Sequence, residues 1–188
     1  PVVCVIKCRV PNVYEMPHTV YVKYSSKDLC IYVLTQQMGN KDIPLFILFR
    51  ALGIISDKEI LNDIIYDVDN PNNAIYLNIL KHSVKDAQGI YTQGEAFHFL
   101  IQKISAINNK STTFKNIYLL DILKNHFLPH VGTDLRKKAY FLGYMVKKTI
   151  DCYLKIDKPT DKDNYLYKRV DISGFLVGTI FRDLYFRF

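Results

Sequence analysis

The stretch DLRKKAYFLGYMVKKTIDCYL, Asp134 to Leu154, decides the fold. Leu135, Ala139, Leu142, Val146, Ile150 and Tyr153 recur at steps of three and four, the period of one helix face, while Lys137, Tyr144, Lys148 and Asp151 fall opposite. The spacing predicts one long helix whose apolar stripe meets a core and whose other side is basic. Just before it, Leu128-Pro129-His130-Val131-Gly132 turns the chain sharply, because Pro fixes one backbone angle and Gly admits conformations other residues avoid. His130 sits in this apolar turn and reads as a hydrogen-bonded structural residue rather than a general base.

Working outward, Ala74 to about Ala87, Thr92 to about Ile104 and Ile117 to Phe127 also carry helical periodicity. Asp42-Ile43-Pro44 reads as a helix start, with Asp as cap and Pro in the first turn, and Gly53 as its left-handed end. Ser56-Asp57-Lys58-Glu59 and Thr92-Gln93-Gly94-Glu95 read as capping boxes, the first opening a helix to about Tyr66 with Ile60, Leu61, Ile64 and Ile65 on one side. Asp171 is the expected cap of a last helix that buries Ile172, Phe175, Leu176, Ile180 and Leu184. Asn108 to Thr113 reads as a surface loop.

The N-terminal part differs. Val2–Val10, Thr19–Tyr24 and Leu29–Thr35 are rich in Val, Ile and Tyr and are separated by turn-like pieces such as Pro11-Asn12. Val20 and Val22 share one face, Tyr21 and Lys23 the other, so one face packs and one is wetter. The fold class is therefore α+β: a small antiparallel N-terminal sheet followed by a mostly helical body.

With 188 residues, 49% hydrophobic and 23% charged, the chain has the balance of one folded domain, residues 1–188. It begins at Pro1 and ends on Leu184-Tyr185-Phe186-Arg187-Phe188; neither end reads as a natural terminus, and a segment excised from a longer polypeptide is expected. No run reaches the roughly 18 apolar residues of a membrane span. Cys4, Cys8, Cys30 and Cys152 lack the paired spacing of a zinc site and read as reduced small apolar residues.

Asp67-Val68-Asp69 and Asp161-Lys162-Asp163 could hold a divalent ion, but the second lacks the Gly and the Glu of a calcium loop, and both read as solvated turns. No glycine-rich phosphate loop or HExxH is present. No catalytic residue, metal ligand or cofactor is assigned. The formal charge is +7, and residues 134–188 hold 12 Lys or Arg against 7 Asp. A basic excess gathered in one part of a domain is the footprint of a polyanion partner, although lysines on a solvated surface give the same composition. The candidate DNA-binding residues are Lys137, Lys138, Lys147, Lys148, Lys168, Arg169 and Arg182, whose type neutralises phosphates without reading bases. Arg169 has a second reading, an ion pair with Asp161, Asp163 or Asp171.

Three blocks carry a resemblance. Arg50-Ala51-Leu52-Gly53 within Ile43 to Asp67, LPHVG with KKAYFLGYMV at Lys137 to Val146, and Asp161 to Gly174, DKDNYLYKRVDISG, stand in the order found in the second-largest subunit of multisubunit DNA-directed RNA polymerases. The chain resembles one piece of it, the lobe, over Ile43 to about Arg182, with Asn70 to Phe127 less recognisable. The blocks look eukaryotic-like, as in nuclear, archaeal or large-DNA-virus enzymes. The resemblance implies a wall of the downstream DNA cleft in a nucleotidyltransferase, and a fragment inactive alone. It implies duplex DNA, the largest subunit, the rest of its own subunit and general initiation factors as partners. Magnesium would be held by another subunit. It also implies an intracellular address: the nucleus, or cytoplasm and virion if viral. The competing reading is a protein-interaction scaffold whose basic face meets an acidic factor.

Overall fold

The structure is a computed structural model and describes residues 2–9, 17–104, 111–161, 163–168 and 170–188. Four strands, β1 (Val2–Cys8), β2 (His18–Ser25), β3 (Cys30–Thr35) and β4 (Ile43–Pro44), form an antiparallel sheet in that order. Cys4 faces Val22, which faces Val33, which faces Ile43. Val20, Val22, Tyr24, Ile31 and Val33 are buried, while Tyr21, Lys23 and Tyr32 are half-exposed, so the expected alternation holds. Val10 and Pro11-Asn12 lie outside the described residues.

Seven helices follow among the described residues: α1 (Leu45–Ala51), α2 (Asp57–Ile65), α3 (Ala74–Asp86), α4 (Gln93–Lys103), α5 (Thr112–Asp121), α6 (Leu135–Tyr153) and α7 (Ser173–Arg187). α1 is buried along its whole length and lies at the centre, with Phe46 and Phe49 fully inside. Burying each such ring contributes on the order of 1.5–3 kcal/mol. α1 ends as Gly53 predicts: Gly53 takes φ 101°, its N–H donates to Arg50 O, and Ile54 N–H donates to Phe49 O.

Several starts differ from expectation. Ile43 and Pro44 pair with β3 and the helix opens just after them, at Leu45 with Pro44 in the cap position, while Asp42 holds Lys23 at 3.0 Å rather than capping. Ser56 makes no side-chain cap hydrogen bond, and the neighbouring Asp57 carboxylate accepts from Arg50 at 2.6 Å. The Thr92–Glu95 box is present. α5 begins at Thr112, earlier than Ile117, and passes into a π turn at Ile122–His126; residues 108–110 lie outside the described set. α7 buries no side chain: Ile172 is 72% and Ile180 59% exposed. Its expected cap, Asp171, instead lies 3.7 Å from Arg9, whose guanidinium stacks 4.0 Å from the Phe175 ring centre.

α6 packs along β1, β2 and α2. The α2–α6 crossing is set by Gly143, where a Cβ would stand 2.4 Å from the Asp63 carbonyl oxygen. Ala139, Leu142, Val146 and Ile150 are buried as the stripe predicts, whereas Tyr153 is 39% exposed against Tyr24. Asp151 is corrected from outward to buried, where it accepts from Tyr76 Oη at 2.6 Å.

Gly143→Ala should lower stability by about 1–3 kcal/mol, since backbone rather than a mobile side chain must move. Gly94→Ala, whose Cβ meets nothing within 4 Å, should cost nothing; thermal melts of the two variants check the difference.

Candidate nucleic-acid interface

The block before α6 is built around a buried cation. Leu128 enters the left-handed region at φ 44°, Pro129–Val131 make one 3-10 turn, and Gly132 leaves it at φ 99°. His130 braces this turn by setting its ring edge-on to Phe141, centroids 4.8 Å apart. Burial and the neighbouring Lys138 charge hold its pKa below the usual imidazole value.

Lys138 is fully buried and does not face solvent, which removes it from the candidate phosphate contacts. Its Nζ donates to Leu123 O at 2.9 Å, to Lys124 O at 2.6 Å and to Phe127 O. Those carbonyls end the α5–π segment and would otherwise be orphaned, so one ammonium with three protons satisfies three acceptors. Burial pushes its pKa down to about 8. Residue type hid this role, since Lys138 is as basic as Lys137, although one residue along the helix, about 100°, sets it beside the apolar stripe four before Leu142.

The other candidates divide. Lys137, Lys147 and Lys148 share the outer side of α6, and Lys137 is exposed. The Lys147 ammonium lies 4.3 Å from the Tyr66 ring centre. Lys148 pairs with Asp157 at 2.7 Å, and that hydrogen bond raises its pKa above the ordinary lysine value. Lys168 lies 3.7 Å from Asp163, and Arg182 is half-exposed on α7. Arg169 and its proposed ion pairs lie outside the described residues.

Sequence reasoning missed three members of this surface. Arg136 reaches Asp63 at 3.4 Å and stacks 4.8 Å from the Tyr140 ring centre. Asp63 is itself buried, which raises its carboxyl pKa, while Arg136 opposes the rise. Tyr140 and Tyr66 are 49% and 57% exposed. Tyr140 was findable as the residue four before Tyr144 on the same stripe, but Tyr66 follows the last turn of α2 with no pattern to mark it.

Arg50, the first residue of the Arg-Ala-Leu-Gly block, is structural. It is 2% exposed, donates to Ala87 O at 3.0 Å and to Ile90 O, and pairs with Asp57. No group of three His, Cys, Asp or Glu that could hold a metal ion is gathered among the described residues.

Residues 12–171 match the family model described as RNA polymerase Rpb2, domain 2. DNA-directed RNA polymerase II subunit RPB2 of Encephalitozoon cuniculi is 35% identical over 149 residues, covering 78% of this chain and 13% of that protein. The same-named subunit of Eremothecium gossypii is 39% identical over 151 residues, covering 78% and 12%. DNA-directed RNA polymerase subunit Rpo2 of Saccharolobus shibatae is 34% identical over 172 residues, covering 90% and 14%. The chain thus spans about an eighth of the length of the curated relatives it matches.

Lys138→Met should cost on the order of 3 kcal/mol, because three buried carbonyls lose their donor. Denaturant unfolding of the variant beside Lys137→Met, which should be near neutral, measures the difference.

Proposed function

Since the chain belongs to the RNA polymerase Rpb2 domain 2 family, the lobe of the second-largest subunit of DNA-directed RNA polymerases, we propose that it forms a wall of the downstream DNA cleft. On this reading it touches duplex DNA through phosphates alone, docks neighbouring subunits or initiation factors, and performs no bond chemistry. The observation that carries the reading is the row of Lys137, Lys147 and Lys148 on one side of a single rigid helix. Cations fixed on a helix track a backbone of regular charge without selecting sequence. Magnesium chemistry and the catalytic residues belong, on this proposal, to other parts of the polymerase. No helix among the described residues is long and apolar enough to cross a membrane, and the proposed setting is intracellular.

The scaffold reading draws on one observation. Asp157 and Asp163 already sit against Lys148 and Lys168, so carboxylates fit these cations. Crosslinking in the assembled polymerase on promoter DNA separates the readings: links from Lys137 or Lys147 to DNA support the wall, and links only to protein support the scaffold.

Duplex binding by the 188-residue chain should weaken steeply between low and moderate salt. Lys137→Ala combined with Lys147→Ala should reduce the slope of log affinity against log salt by about 1.8, at about 0.9 per phosphate contact. Lys81→Ala, on α3, should leave the slope unchanged. Binding undetectable even at low salt counts against the DNA role.

A further inference from the structure

The outer side of α6 carries rings as well as charges. Tyr140 and Tyr144 stand one turn apart and are 49% and 46% exposed. Each has a cation over it: Arg136 at 4.8 Å from the Tyr140 centroid and Lys148 at 6.0 Å from that of Tyr144. Tyr66 adds a third ring from the end of α2, with Lys147 at 4.3 Å. The α2–α6 crossing at Gly143 is what brings Tyr66 to this side.

Tyr66 is displayed at a conformational cost. It adopts φ 73° and ψ −34°, a region that a bulky side chain avoids and glycine enters freely, in the position after a helix where glycine is the common choice. Its N–H donates to Asn62 O at 2.8 Å, so the strain is held by the helix end. The ring is 57% exposed, and the apolar core gains little from it. A residue that strains the backbone and stays in solvent has its use at the surface.

We propose that Tyr66, Tyr140 and Tyr144 form a stacking platform for the bases of a single-stranded nucleic acid, with Lys147, Lys148 and Lys137 taking its phosphates. The proposal rests on the DNA half of the reading above and adds an unpaired strand, held through its bases as well as its phosphates, to the duplex as a ligand of that surface. Exposed aromatics interleaved with cations are the chemistry of sequence-tolerant single-strand binding. Spacing favours the same ligand: Tyr140 and Tyr144 are about 6 Å apart along the helix axis. Bases in a duplex strand rise by about 3.4 Å and have their faces covered by stacking on one another, so only a strand drawn out of the stack presents successive faces at that interval.

The test is fluorescence anisotropy with labelled oligodeoxythymidine and a duplex of equal length, at low salt, using the 188-residue chain and its variants. The strand should bind more tightly than the duplex. Tyr66→Gly and Tyr144→Leu should each lower strand affinity about fivefold or more while leaving duplex affinity unchanged, and Tyr66→Phe should retain it. Tyr66→Gly should at the same time keep or raise Tm, because it relieves the backbone; a fall in Tm would mark the ring as a packing group and overturn its role. Duplex preference in the parent, unchanged strand affinity in both variants, or equal losses for strand and duplex overturns the platform while leaving phosphate contact standing. Undetectable binding of both ligands overturns the platform and the DNA reading together.

Discussion

The structure depends on one buried ammonium. Lys138 places three N–H donors among the carbonyls of Leu123, Lys124 and Phe127, and so joins the start of α6 to the end of the α5–π segment. A charge taken out of water is costly, and it persists here because every proton has an acceptor. The positive end of the side chain also meets the negative end of the preceding helical segment, where a cation is favoured. That contact ties the turn at Leu128–Gly132 to the start of α6 and constrains the direction in which the helix leaves it.

Direction then decides what faces solvent. α6 lies close enough to α2 that only glycine fits at position 143, and this contact fixes the rotation of α6 about its own axis. Rotation by one residue, about 100°, would bring Lys137 inward and Ala139 outward. The buried stripe from Ala139 to Ile150 and the exposed row from Lys137 to Lys148 are therefore two results of one close approach. Tyr66 and Asp63, at the end of α2, are carried to the same side and meet Lys147 and Arg136.

The long helix, the alternation of Val20 and Val22 with Tyr21 and Lys23, and the Gly53 stop were legible, because each rests on local sterics or on a repeat that one segment contains. What stayed hidden depends on partners far apart in sequence. Asp42 has the residue type of a cap, yet Lys23 of β2 claims its carboxylate. Ser56 and Glu59 have the spacing of a box, yet no side-chain cap hydrogen bond forms there, and the tie at this helix start is the Arg50–Asp57 pair, which spans seven residues. The α7 stripe is periodic and still exposed, since periodicity states which side can be buried and not whether anything lies against it. In the candidate interface, residue type identified Lys137, Lys147 and Lys148, but could not separate them from Lys138. It also gave no sign of Tyr66, whose backbone angle is the informative property.

Charge alone is a weak basis for holding a ligand on this surface. Exposed ion pairs contribute about 0–1 kcal/mol, and salt near physiological strength screens charges beyond about 8 Å. Lys148 must in addition leave Asp157 to meet a phosphate. Among the described residues Lys147 is paired with no carboxylate, and its ammonium lies 4.3 Å from the Tyr66 ring centre, a contact that orients it without neutralising it. On the proposed reading the ring and the ammonium then act on different parts of one nucleotide, the base and the phosphate, and the strained backbone at Tyr66 is what sets them at one site. Phosphate contacts supply attraction at any position along a strand, whereas the rings supply the preference for an unpaired one.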